Sequence, residues 1–298
     1  MTKRGSYGSP GAFRRALTDK LRALAKESRW ELPQLQRQMA YDRFLERLYS
    51  VDDGWIVKGA VALLARDLGV RASIDIDVYQ EGERATVEAQ LRQAAETDLG
   101  DWFRFDMGPT QAVSDGAAAV RRPVTAYVGE TVWARFHVDV VAGGIRMTGQ
   151  PEDVPAIARV AMPDVEQTGY RVYPLVDHVA DKVAATFDRY GEGRKPSTRF
   201  RDLVDLVAIS LGASVDAEPQ IAALQSEAAR RGVSLPPRFG VPDRELWQGG
   251  YAAEARRSLL PIAHTLDEAL DVVRPFLDPV INGTARGKWD LGERRWDL

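Results

Sequence analysis

Residues 73–79 read Ser-Ile-Asp-Ile-Asp-Val-Tyr, a strict alternation of side chains. A period of two marks a half-buried strand, because successive side chains leave a strand on opposite faces. Ile74, Ile76 and Val78 are expected to face a core, with Asp75 and Asp77 on the other side. Two carboxylates so close repel each other, and a divalent cation would relieve that cost; hard Mg²⁺ prefers such oxygen ligands. The chain must therefore build a sheet that accommodates this pair, and the flanking sequence indicates how.

Asp139 lies in a second alternating run, His137-Val138-Asp139-Val140-Val141, which can stand beside the first pair. Three carboxylates on adjacent strands can hold metal around a phosphoryl group; the plainer reading makes Asp139 an edge-strand surface residue. Upstream, Trp55-Ile56-Val57 reads as a short strand, Gly59 follows, and 60–65 reads as a short buried helix. A glycine at that junction lets the backbone approach a ligand closely, and helix N–H groups suit phosphate. Lys58 adds a charge beside it.

Helical periods appear at 12–28 (Phe13, Leu17, Leu21, Leu24), at 33–50 and at 84–97. The stretch 101–141 is strand-rich and ends at Gly143-Gly144. From 174 the pattern turns helical again, with an apolar stripe through Val176, Val179, Ala180, Val183, Ala184 and Phe187. Lys182 is expected opposite that stripe, with His178 and Arg189 on the same polar side. Further helices are expected over 201–211 and 217–231, and a last one from the capping box Thr265-Leu266-Asp267-Glu268 to about Phe276. Residues 233–250 read as a loop, and the tail after Asn282 as polar and partly mobile.

Composition narrows the chemistry. The 298 residues include no cysteine and three histidines, so thiolate chemistry is excluded and a histidine-rich zinc site is not expected. The net charge of −3 argues against general nucleic-acid binding. A local basic patch remains open in the first 47 residues, where Arg14, Arg15, Lys20, Arg22, Arg43 and Arg47 are among the cations; a solvated helix face is the plainer account. No apolar run is long enough to span a bilayer, and the N-terminus lacks an apolar signal core, so a cytoplasmic protein without membrane contact is expected.

The order strand, Gly, helix, D-x-D strand, later acidic strand resembles the polymerase β nucleotidyltransferase core. Val57-Lys58-Gly59-Ala60-Val61-Ala62-Leu63 and Arg71-Ala72-Ser73-Ile74-Asp75-Ile76-Asp77 resemble the K-G-G-x-x-L and R-x-S-x-D-x-D motifs of AbiEii/AbiGii and MenT-like toxins. Ala60 departs from the usual Gly or Ser. His178-Val179-Ala180-Asp181-Lys182 and Arg199-Phe200-Arg201-Asp202-Leu203-Val204-Asp205-Leu206 resemble the family's segment with a functional lysine and its R-x-x-D-L-x-D-L motif.

The resemblance implies an α/β (α+β) fold: N-terminal helices over 1–50, a nucleotidyltransferase core with a mixed sheet over 51–165, and a helical C-terminal domain over 166–298. It implies Mg²⁺ held by Asp75, Asp77 and Asp139, and Lys182 and Asp205 as residues important for activity. Lys58, Gly59, Ala60, Arg71, Ser73 and Lys182 are the candidate nucleotide-site residues. An aspartate in so apolar a helix needs a partner, and Lys182 or Arg199 can supply it to Asp205; a purely structural salt bridge is the other reading. Transfer of NMP from an NTP to the 3′ end of tRNA would follow, with a cognate antitoxin as partner. A protein or small-molecule acceptor, or a degenerate binding module, stays open. The Ser73 hydroxyl is expected on the carboxylate face, where phosphorylation would switch the enzyme off; a serine that merely caps the strand is the alternative.

Overall fold

The computed structural model describes residues 6–112, 119–158, 160–191 and 193–297. Two compact units emerge, one within Met1–Arg66, Ala72–Ile145 and Asp153–Val172, the other within Asp67–Arg71, Arg146–Glu152 and Tyr173–Leu298.

In the first unit, α1 (Pro10–Glu27) starts where the Ser9 side chain accepts from the Ala12 N–H, with proline in the first turn. It buries Phe13, Leu17 and Leu21, the stripe read from the sequence. Next comes α2 (Leu32–Val51), then β1 (Ile56–Lys58), α3 (Gly59–Ala65), β2 (Asp75–Gln80) and α4 (Arg84–Glu96). The strands β3 (Phe103–Met107), β4 (Gln111–Ala112), β5 (Ala119–Val128), β6 (Thr131–Ala142), β7 (Glu152–Val154) and β8 (Tyr170–Val172) complete it. The sheet runs β3-β5-β6-β2-β1-β8-β7, with β4 also beside β5. β2 pairs with β6 in parallel and with β1 in antiparallel, so the sheet is mixed.

One face of this sheet is covered by α2 through aromatic edges. Tyr41 meets Phe136 with ring centroids 5.1 Å apart, and Phe44 meets Phe105 at 5.3 Å. The same helix also buries charge. Arg43 and Arg47 each reach Asp101 at 2.6 Å, and all three side chains are at most 2% exposed. Arg47 further donates to the Phe103 carbonyl and lies over the Phe105 ring. Burial alone would raise the Asp101 pKa, but the two guanidinium groups hold it below the usual carboxylate range. Arg43 and Arg47 thus leave the basic patch considered for the N-terminal residues: their charges are spent inside the protein.

The second unit contains α5 (Leu175–Phe187), β9 (Arg189–Tyr190), β10 (Lys195–Pro196), α6 (Phe200–Gly212), α7 (Ala217–Arg231), α8 (Arg244–Arg257), α9 (Leu266–Ile281), β11 (Trp289–Asp290) and β12 (Arg295–Trp296). Two expectations fail here. Half of α8 lies in the stretch read as loop, because Gly249-Gly250 looks like a break. A Cβ on Gly250 would stand 2.4 Å from the Phe200 ring, so the glycine there admits an aromatic side chain against the helix. Asp243 caps this helix by accepting from the Leu246 N–H. The tail is not loose either. β11 and β12 pair, Trp289 and Trp296 are buried, and Trp296 stacks on Phe276 at 5.4 Å. Both indole N–H groups donate to backbone carbonyls, those of Ser210 and Phe276.

Removing the shared acid should expose how much the first unit depends on its buried charges. Asp101→Ala leaves two guanidinium groups buried without their counter-ion, and should cost about 3–5 kcal/mol. Arg15→Ala, on an exposed helix face, should stay within about 0.5 kcal/mol. Urea denaturation midpoints of the two variants check this, and equal midpoints would contradict it.

Candidate active site

The alternation in β2 holds from Asp75 to Val78: Ile76 and Val78 are buried and Asp75 and Asp77 half-buried, but Tyr79 and Gln80 beyond them are both buried. It does not extend to Ile74, which precedes the strand and is 54% exposed. Pairing with neighbours then decides what the two carboxylates meet. The parallel β2–β6 register sets Asp77 beside Asp139 and Asp75 beside His137. The antiparallel β1–β2 register sets Lys58 beside Asp77. In β6, Phe136, Val138 and Val140 are buried and alternate with half-buried His137 and Asp139.

Gly59 packs its backbone directly against the Asp77 carboxylate. Its φ is +61°, a left-handed conformation that favours glycine, and a Cβ there would stand 1.9 Å from Asp77 Oδ2. The sequence reading placed a close approach at this glycine; the partner that makes it is Asp77. Ala60 follows as a buried residue of α3, past the point where the positive φ is needed.

Arg121, on β5 directly opposite Asp139, escaped the sequence reading. Its Nε lies 2.7 Å from Asp139 Oδ1 and one terminal nitrogen 2.5 Å from Oδ2, a two-pronged contact. The same nitrogen is 3.7 Å from Asp75 Oδ2. Hydrogen bonding to Asp139 raises the Arg121 pKa above its ordinary value. His137 Nδ1 lies 3.1 Å from the other Asp75 oxygen. Among the described residues, no group of three or more His, Asp and Glu side chains is gathered closely enough to hold a metal ion. Asp75, Asp77 and Asp139 share a region of the sheet, and two of them turn to cationic or imidazole partners.

Ser73 does not sit on the alternating strand. Its hydroxyl donates to the Asp75 carbonyl at 2.9 Å and accepts from the Asp75 N–H, a local turn that starts the strand. Its own carbonyl accepts from the Tyr41 hydroxyl at 2.7 Å. The capping role weighed for it in the sequence is the one its hydrogen bonds perform.

The second unit holds its own charge cluster. Lys182 of α5 donates to Asp205 at 2.7 Å and to Asp202 at 2.8 Å, both on α6. Arg71 grips Asp205 from the other side, Nε to Oδ1 at 2.9 Å and a terminal nitrogen to Oδ2 at 2.8 Å. Lys182 is 6% exposed and Asp205 2%. Burial alone would raise the Asp205 pKa, but Lys182 and Arg71 hold it well below the usual carboxylate range. Burial pulls the other way on Lys182, and Asp202 and Asp205 raise its pKa. The stability Asp205 contributes is therefore present above about pH 4 and lost as pH falls through its lowered pKa.

Three sequence expectations change here. Arg71, expected on phosphate or the strand, is bound to Asp205. Of the two partners expected for Asp205, Lys182 is one it has; Arg71, not expected there, is the other, and Arg199 lies 3.6 Å from Asp202 instead. Lys182 and His178 are buried rather than on an open polar face, and Arg189 is exposed in β9, outside the helix. Two acids one turn apart on α6 explain how a lysine can be drawn inward.

Comparison with known proteins places this architecture. The sequence profile of the nucleotidyl transferase AbiEii toxin family, type IV toxin–antitoxin system, matches residues 43–272, a span that includes both charge clusters. No curated protein matches the chain. Among solved structures, MenT4, a nucleotidyltransferase toxin of Mycobacterium tuberculosis H37Rv, superposes with a TM-score of 0.53 at 15% identity, covering 90% of this chain and 89% of that one. JHP933 from Helicobacter pylori gives a TM-score of 0.47 at 13% identity, over 83% of this chain and 93% of that one. At 15% identity the likeness to MenT4 speaks for the fold alone, a mixed α/β arrangement. The family profile spans most of the sequence, and the chain belongs to the AbiEii nucleotidyl transferase toxin family of type IV toxin–antitoxin systems.

Proposed function

We propose that the protein transfers a nucleoside monophosphate from an NTP to an acceptor hydroxyl, with the 3′ end of tRNA as acceptor, and so arrests growth until a cognate antitoxin intervenes. The observation that carries the reading is the Asp77 carboxylate, set against Gly59 and in register with Asp139 and Lys58. In the reaction the acceptor oxygen forms a bond to the α-phosphorus and the bond to pyrophosphate breaks, with no covalent enzyme intermediate.

Asp75, Asp77 and Asp139 supply hard oxygen donors of the kind Mg²⁺ prefers, so the residue types fit the metal. When bound, such an ion would lower the pKa of the acceptor hydroxyl and neutralise the leaving pyrophosphate. The chain's own contribution is positioning and charge. Lys58 and Gly59 would take phosphate oxygens next to Asp77, and the backbone at Gly59 holds the Asp77 carboxylate in one place. Lys182 and Asp205 are required for activity in this reading, on the motifs that carry the resemblance. For RNA, an open groove of about 730 Å³ in the first unit offers Arg14 and Arg15, beside Arg22 paired with Asp19 and beside Glu130. Such a local patch suits a chain whose net charge is −3.

Incubating the protein with total RNA, protein extract and each labelled NTP tests the reading. Label should appear at tRNA 3′ ends and be abolished by Asp75→Ala or Asp77→Ala, with unchanged circular dichroism. Label on protein would replace the acceptor; near-wild-type transfer by either variant would remove the carboxylates from catalysis.

Gly59→Ala should push the Asp77 carboxylate aside. Turnover should fall by about 10²-fold, the cost of a misplacement of about 1 Å. Stability should fall by about 1–3 kcal/mol from backbone strain. Turnover and thermal unfolding of this variant, measured together, check both; wild-type turnover would refute the contact's importance.

For the second cluster, Lys182→Ala and Asp205→Ala should each lose activity and about 3–5 kcal/mol of stability. Lys182→Met with Asp205→Leu removes one charge of each sign and should recover the fold while remaining inactive. Recovered activity in that double variant would show the pair to be structural only.

A further inference from the structure

We infer that Arg121 is a nucleotide-phosphate ligand that guards Asp139, holding this carboxylate until a triphosphate draws the guanidinium away. The inference rests on the nucleotidyl-transfer reading above and extends it to a residue outside every motif that suggested it.

The geometry is that of an exchangeable contact. Arg121 covers both oxygens of Asp139, at 2.7 and 2.5 Å, and leans toward Asp75 at 3.7 Å. A planar guanidinium with paired donors matches a phosphate as well as a carboxylate. The pair is open to solvent, with Arg121 35% and Asp139 16% exposed. The Arg43–Arg47–Asp101 cluster of the same unit is at most 2% exposed, the arrangement a structural ion cluster adopts here. Arg121 is placed where a ligand can reach it.

Charge gives the direction of the exchange. Lys58 stands in register with Asp77, while Arg121 covers both oxygens of Asp139 and leans toward Asp75. A divalent cation at Asp139 competes with the guanidinium for the same two oxygens and repels it. A triphosphate relieves the conflict by offering the guanidinium oxygens of its own. Metal and nucleotide should therefore bind cooperatively, each weakly alone, because each needs Arg121 moved from Asp139 to phosphate.

Binding of Mn²⁺, followed by its paramagnetic resonance, and of non-hydrolysable analogues of the four NTPs, followed by calorimetry, tests this on the full chain. Arg121→Gln should bind Mn²⁺ alone about tenfold tighter than wild type, about 1.4 kcal/mol. It should bind the nucleotide about tenfold weaker at saturating Mn²⁺, and lose the cooperativity between them. Arg121→Lys, which keeps the charge without the fork, should fall between the two and serves if the glutamine variant does not fold. Tighter Mn²⁺ with unchanged nucleotide affinity would make Arg121 an electrostatic bystander and overturn the inference, as would unchanged Mn²⁺ affinity. A wild-type protein that binds neither Mn²⁺ nor any nucleotide would instead overturn the nucleotidyl-transfer reading itself.

Discussion

Asp77 occupies the space that any side chain at position 59 would need. A Cβ at Gly59 would lie 1.9 Å from the Asp77 carboxylate, so the turn from β1 into α3 and the position of the acid on β2 are one constraint. The strand pairings follow around it: β1 on one side of β2 brings Lys58, and β6 on the other brings Asp139. The aromatic layer of α2 backs the sheet on the opposite face through Phe136, so the half-buried acids stay on the face where a ligand can approach.

Charge is handled in three ways within one chain. Asp101 is held by two arginines in a site closed to solvent, where the interaction organises the core. Asp202 and Asp205 are matched by Lys182 and Arg71, with Arg199 near Asp202, in a cluster that is mostly buried. Around β2 the acids outnumber their nearby guanidinium and remain partly exposed. Buried pairs of the first two kinds gain little net stability but cost much to break. The β2 cluster, with Lys58 in register with Asp77, is the most solvent-accessible of the three, and this distinguishes it from the two buried clusters made of the same residue types.

The parts of the chain that sequence alone misread share a cause. Gly249-Gly250 looks like a helix breaker, yet Gly250 lies within α8 because the Phe200 ring packs there. Trp289 and Trp296 sit in a polar tail, yet two indoles find Phe276 and one another. Lys182 stands opposite the apolar stripe of its helix yet is buried, because helical position shows a face and not what covers it. The deciding partner lies outside the local pattern each time, and in the extreme case, Arg71 and Asp205, it is 134 residues away.

From the sequence by itself came the alternation that puts Asp75 and Asp77 on one face of a strand, a glycine at 59 between a strand and a helix, the stripes of α1 and α5, and the motifs that resemble AbiEii toxins. These are local properties: the period of side chains along a backbone and the conformations a residue allows. Only tertiary structure decided that Arg121 faces Asp139, that Arg71 and Lys182 share Asp205, and that Ser73 binds its own strand rather than the carboxylate face. Strand register and helix packing settle these, and both depend on contacts whose partners no local pattern names.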